Sequence, residues 1–183
     1  MKDIFYGDDR RMRGMRIVFA LCAICILSFM GCSREESHET NLEKIAALYQ
    51  KSKAKFPDVP DLSPEELMEI RSTDTIVLVD RRKRVERDVS MIPGAIADEV
   101  FESDIESFAD ARIVVYCTIG DRSGNYVKKL RERGMNAYNL RGGVLAWAHA
   151  GGPFIDPQGD ETNRVHVYGR TWNLLPEGYV AVW

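Results

Sequence analysis

A β-branched run, Arg112-Ile113-Val114-Val115-Tyr116, stops on Cys117, and the chain then passes through Thr118-Ile119-Gly120-Asp121-Arg122-Ser123 into the helical pattern Tyr126-Val127-Lys128-Lys129-Leu130. This succession predicts a buried strand ending on a cysteine, a short loop, and a helix beginning near Ser123. Loop amides and a helix N-terminus would then point toward the sulfur, and their partial positive charge favours thiolate over thiol. The same cradle would hold an anionic group attached to or approaching that sulfur. The alternative is a buried strand-end cysteine without chemistry. Gly120, Arg122 and Ser123 at short range favour the reactive reading.

The remaining segments alternate in the same way. Ser63-Pro64-Glu65-Glu66 reads as a helix start, with Ser at the N-cap, Pro in the first turn and acids beside it, and predicts a helix to about Arg71. Thr75 to Asp80 is a continuous apolar strand, as in a parallel sheet covered on both faces. Ala95-Ile96 and Met135 to Leu140 read as further strands. The helix from Ser123 to Arg133 would end at Gly134, and another would open at Gly142-Gly143. That glycine pair permits close backbone approach, and phosphate cradling is the second option it leaves open. The expected fold class is α/β, an open parallel sheet flanked by helices on both faces. Phe101, Ile105 and Phe108 form a stripe expected in the core, and the charge run Arg81 to Arg87 is expected to be solvated. Val165 to Tyr168 alternates like an edge strand, and Thr171 to Trp183 is expected to cover the sheet edge or wall the site. His38, His149 and His166 lack metal-ligand spacing, so no metal or cofactor is expected.

The N-terminal segment differs. Arg10, Arg11, Arg13 and Arg16 form a basic region before the apolar run Ile17 to Met30, which is short for a membrane span but suits a signal peptide. It closes on Phe29-Met30-Gly31-Cys32, which resembles a bacterial lipobox with Phe29 where Leu is usual. Residues 1–31 are thus expected to be a lipoprotein-type signal. Cys32 would be the lipidated residue of an exported, membrane-anchored protein facing the periplasm or outer cell surface. An uncleaved anchor and a buried helix are the competing readings. Residues 32–61 are expected to hold a tether over Ser33 to Thr40 and an amphipathic helix from Asn41 to Lys53, with Asn41 as N-cap and its apolar face packing on the domain. Cys22 and Cys25 would leave with the signal, making Cys117 the one free thiol of the mature chain. Loss of residues 1–31 leaves 20 basic and 25 acidic residues, a net charge of −5 that argues against nucleic acid and against electrostatic membrane binding.

Four motifs now stand in register: Cys117 to Ser123; Val77-Leu78-Val79-Asp80-Arg81-Arg82; Ile92-Pro93-Gly94-Ala95-Ile96; and Asn139-Leu140-Arg141-Gly142-Gly143-Val144-Leu145-Ala146-Trp147 with Gly151-Gly152-Pro153. Together they resemble the rhodanese family, with residues 62–153 as the domain and 154–183 as an extension packing on it. Met91 stands where the family usually has His. The resemblance implies sulfurtransferase activity through a persulfide on Cys117, with Thr118, Ile119, Gly120, Asp121, Arg122 and Ser123 as the substrate-binding loop and Asp80 and Arg82 in support. Implied donors are thiosulfate, polysulfides or persulfides, with a low-molecular-weight thiol or a protein as the sulfur acceptor. The loop spacing, C-x4-R, is one residue shorter than the C-x5-R of cysteine phosphatases, which disfavours a phosphatase or arsenate reductase. A non-catalytic binding or sensing module is the alternative from another class. Asp121, if turned inward, would oppose a dianionic donor.

Overall fold

The computed structural model of the chain describes residues 32–72 and 76–183. The basic region, the apolar run and residues 29–31 of the lipobox lie outside these residues. No helix among the described residues is long and apolar enough to cross a membrane. The compact unit that carries the sheet is Thr40–Trp183.

The backbone is helical through α1, Cys32–Lys53, so the expected tether over Ser33 to Thr40 and the expected N-cap at Asn41 are both corrected. Glu35 and Glu36 favour the N-terminal end of a helix, and Lys51 and Lys53 its last turn. Apolar periodicity, which begins only at Leu42, carries neither signal. After α1 come β1 (Asp61–Leu62), α2 (Pro64–Ile70), β2 (Ile76–Asp80), α3 (Arg84–Arg87), β3 (Ala95–Ala97) and α4 (Asp98–Ser103). A single 3₁₀ turn, Ile105–Phe108, leads to β4 (Arg112–Tyr116), α5 (Asp121–Glu132), β5 (Ala137–Leu140) and α6 (Gly143–His149). Ser63 caps α2 with a full capping box: its hydroxyl accepts from the Glu66 amide, while the Glu66 carboxylate accepts from the Ser63 amide.

The five strands β1–β5 form one sheet in the order β1-β5-β4-β2-β3, and every pairing is parallel. Period-two alternation sends Val114 and Tyr116 to one face of β4 and Ile113 and Val115 to the other. The first face packs against Leu67, Leu140, Val144, Leu145 and Trp147, and the second against Phe101, Val127 and Leu130. Both faces are therefore dry, which is why the strands read as continuous apolar runs. The Phe101–Phe108 pair stacks at 5.2 Å between ring centroids, as the expected core stripe requires.

Beyond Pro153 the chain forms β6 (Phe154–Ile155) and β7 (Glu161–Thr162), an antiparallel pair, and then β8 (Arg164–His166) and β9 (Val180–Val182), a parallel pair. The strand expected over Val165 to Tyr168 thus belongs to a small separate sheet and not to an edge of the main one. Phe154, Val165, Val167, Leu174 and Leu175 are nonetheless buried in the first core.

Candidate active site

The site sits at the C-terminal end of β4, the middle strand, where an open parallel sheet leaves a crevice outside its strand ends. Cys117 follows Tyr116 directly and is 1% exposed. Gly120 takes φ +102°, so the loop turns there and α5 begins at Asp121, two residues before the expected start. A side chain at Gly120 would also collide with Tyr49: an added Cβ would lie 2.6 Å from its ring. The turn brings donors back onto the sulfur. The Gly120 amide donates to Cys117 Sγ at 3.2 Å, and the Ser123 hydroxyl lies 3.4 Å from it. Amides in the first turn of α5 have no intrahelical acceptor and add partial positive charge on the same side.

Three supports hold this loop. From one side, Asn139 Nδ2 donates to the Gly120 carbonyl at 3.1 Å and to Tyr49 Oη at 3.2 Å, while Tyr49 in turn donates to Asp61 at 2.5 Å. From below, the start of α6 replaces a sheet contact. Val144 and Leu145 amides donate to the carbonyls of Cys117 and Thr118 at 2.9 and 3.3 Å. An added Cβ at Gly143 would fall 2.2 Å from the Cys117 carbonyl oxygen, so the glycine pair serves close approach.

The third support is Glu86, in the charge run expected to be solvated. Three of its side chains are instead internal, Arg82 at 1% exposed, Glu86 at 1% and Arg87 at 8%, while Arg81, Lys83, Arg84 and Val85 face solvent as expected. Arg122 grips Glu86 in a two-pronged pair, Nη1 to Oε2 at 2.6 Å and Nη2 to Oε1 at 2.8 Å, and also donates to Thr118 Oγ1 at 3.0 Å. Thr118 donates to Glu86 at 3.0 Å, and the Lys83 amide to the same carboxylate at 2.8 Å. Burial alone would push the Glu86 carboxyl up, but the Arg122 pair, the Lys83 amide and the Thr118 hydroxyl together hold it down at about 2. An acid alone among Arg81, Arg82, Lys83, Arg84 and Arg87 was the sequence signal for this role.

A pH dependence follows. A carboxyl held below its unfolded value, about 4.3, stabilises the fold fully above that pH. That contribution drains away as pH falls from there toward about 2. Glu86→Gln is therefore expected to melt below wild type at neutral pH by the equivalent of roughly 2–3 kcal/mol. The gap between the two melting curves should narrow as pH drops from about 5 to about 2. Thermal melts of both proteins across that range check it, and a gap that stays constant with pH would contradict the assignment.

Asp80 and Arg82 lie behind this layer, not in contact with the sulfur. Arg82 donates to both Asp80 oxygens, with Nη2 to Oδ2 at 2.7 Å, and to the Ser90 carbonyl at 2.5 Å; both side chains are fully buried. The guanidinium stacks over Tyr116, 5.6 Å from the ring centroid. The Asp121 carboxylate pairs with Lys55 at 2.6 Å, which offsets the charge expected to repel an anionic donor. Met91 sits at a bridge to Ile155, bonded backbone to backbone at 2.8 and 2.9 Å.

Above Cys117, Thr118 and Ile119 opens a cleft of about 350 Å³. Leu48 and Lys51 of α1 form one side, with Lys55 just beyond, and Tyr168 and Trp172 of the extension form another. These residues carried no motif, although the Trp- and Tyr-rich end of the chain did suggest a wall.

A family model described as "Rhodanese-like domain" matches residues 63–150. A protein of Allochromatium vinosum described as "Sulfurtransferase" is 34% identical over 106 residues, covering 55% of this chain and 99% of that one. An uncharacterised protein of Synechocystis is 32% identical over 98 residues, 51% of this chain, and this chain spans about half of that protein's length, 55%. Among solved structures, a thiosulfate sulfurtransferase of Pseudomonas aeruginosa aligns with a TM-score of 0.50 at 24% identity, over 63% of this chain and 23% of that one, a likeness of fold.

Proposed function

We propose a sulfur-transfer function from one premise: the chain belongs to the rhodanese-like domain family. The observation that carries the proposal is the short loop itself. Cys117 Sγ lies on the floor of a cleft with the Gly120 amide and Ser123 hydroxyl directed at it, and the Arg122 guanidinium, which also interacts with the sulfur, is anchored by Glu86 and Thr118. The loop is one residue shorter than the C-x5-R loop of cysteine phosphatases, and its arginine also braces it from the side.

In the proposed cycle the Cys117 thiolate attacks the outer sulfur of a donor. The donor's S–S bond breaks, and its electron pair leaves as sulfite from thiosulfate or as a thiolate from a persulfide. The terminal sulfur of the resulting Cys117 persulfide lies where the loop amides converge, and charge-assisted hydrogen bonds stabilise it there. A second thiophile then removes that sulfur and restores the thiolate. Cys117 is the one free cysteine among residues with described side chains, so the acceptor comes from outside the chain. Intact mass after incubation with thiosulfate or polysulfide should show one added sulfur, removable by cyanide. Aryl phosphate hydrolysis faster than sulfur transfer would overturn the proposal.

Export as a lipid-anchored protein belongs to the same proposal and is supported by residues 1–32 alone. A palmitate analogue fed to expressing bacteria should label wild type and not Cys32→Ala. An unlabelled wild type retaining its full N-terminus would count for the uncleaved anchor.

A further inference from the structure

Two features of the cleft come from segments outside the matched residues 63–150. The first is cationic. α1 brings Leu48 and Lys51 to the cleft, with Lys55 in the turn that follows. Lys55 is engaged by Asp121, whereas Lys51 has no ion-pair partner among the described residues. The second is a backbone outlier. Tyr168 takes φ +73°, the one positive value outside glycine among the described residues. A bulky residue holds that conformation only where its surroundings enforce it. Here the Tyr168 amide donates to His166 Nδ1 at 3.1 Å, and the Val167 amide to the Val182 carbonyl at 2.8 Å. Burial does not account for the conformation, since Tyr168 is 56% exposed. Its ring is instead displayed on the cleft wall, edge-on to Trp172 at 5.9 Å and over the Arg122 guanidinium at 5.7 Å.

We infer that these two flanking segments form a subsite for the organic part of an anionic, low-mass persulfide. Its hydrocarbon part lies against Tyr168 and Trp172, its carboxylate meets Lys51, and its outer sulfur reaches Cys117. A cleft of about 350 Å³ suits such a ligand. This rests on the sulfur-transfer reading and names the donor class within it. The step is R–S–SH + Cys117–S⁻ → Cys117–S–SH + R–S⁻. One S–S bond forms, one breaks, the proton stays on the transferred sulfur, and the electron pair leaves with R–S⁻, so no outside oxidant or reductant is needed.

The test uses the full chain in detergent and three donors: mercaptopropionate persulfide, mercaptoethanol persulfide and thiosulfate. The first two differ in carrying a carboxylate or a neutral hydroxyl. Wild type should favour the carboxylate donor about five-fold in kcat/KM, the scale of one exposed ion pair. Lys51→Glu should bring that ratio to one or below. Tyr168→Gly accepts the same backbone conformation, so it tests the ring alone; it should raise KM for both organic donors roughly five-fold relative to thiosulfate. Tyr168→Phe should restore those KM values. A wild-type ratio near one, or a ratio that Lys51→Glu leaves unchanged, overturns the subsite while sulfur transfer stands. No persulfide from any donor overturns both.

Discussion

Cys117→Ser is expected to give a folded protein that takes up no sulfur. The serine oxygen is smaller than sulfur but can still accept from the Gly120 amide and the Ser123 hydroxyl, so the loop keeps its local partners. The braces through Glu86, Asn139 and the start of α6 do not involve the sulfur at all. What is lost is the nucleophile. A neutral hydroxyl without a dedicated base attacks a sulfane sulfur poorly, and removing the nucleophile outright typically costs about 10³-fold or more in rate. Thiocyanate release from cyanide and the mass adduct should both fall to background, with melting within a few degrees of wild type. Substantial release by this variant would place the chemistry elsewhere.

Asp80→Ala is expected to have the largest effect on stability. Asp80 and Arg82 are wholly enclosed, and the guanidinium has one nitrogen, Nη1, without a partner even in the intact protein. Removing the carboxylate leaves a buried cation supported by the Ser90 carbonyl, the face of Tyr116 and the charge of Glu86, which it does not pair with directly. Breaking a buried pair from one side costs about 3–5 kcal/mol. In a unit of this size that lowers Tm by roughly 10 °C. The double variant Asp80→Ala/Arg82→Met should recover most of the loss, because it removes the stranded charge as well as its partner. A single variant that melts with wild type would show that the pair does not hold β2 to the segment after α3.

The parts of this molecule that could be read from its sequence are those whose cause is local. A β-branched run covered on both faces announces β2 and β4, Ser63-Pro64 announces α2, and Cys117 to Ser123 announces a turn onto a helix. The two-residue error at the start of α5 arose because Gly120, in the left-handed region, lets the helix begin immediately behind it. Within Arg81 to Arg87 the inward turn of Glu86 and Arg87 went unread because charge alone does not reveal burial; what holds these two inside is a set of partners farther along the chain, Asp98, Thr118 and Arg122. Asp80 and Arg82 were picked out by motif, but only the fold shows that they bond to each other and not to the sulfur. Tyr49, Asn139, Tyr168 and Trp172 reach the site by tertiary packing, and no spacing in the sequence encodes such an approach.

The flanking segments also separate the inherited module from the folding unit. Residues 63–150 are what the family model matches, yet that stretch taken alone would have holes in both of its cores. Phe56, whose ring fills the space beside Gly124, comes from before it, and so do Ile45 and Tyr49. Phe154, Val165 and Leu174 come from after it. Each is almost fully enclosed, so a protein trimmed to the shared boundaries would expose what those side chains cover and lose the ring that rests against Gly120. The stretch that the family model matches is thus smaller than the stretch whose side chains pack into one pair of cores. A trimmed protein that proved unstable or inactive would therefore say nothing about the chemistry of Cys117 in the whole chain.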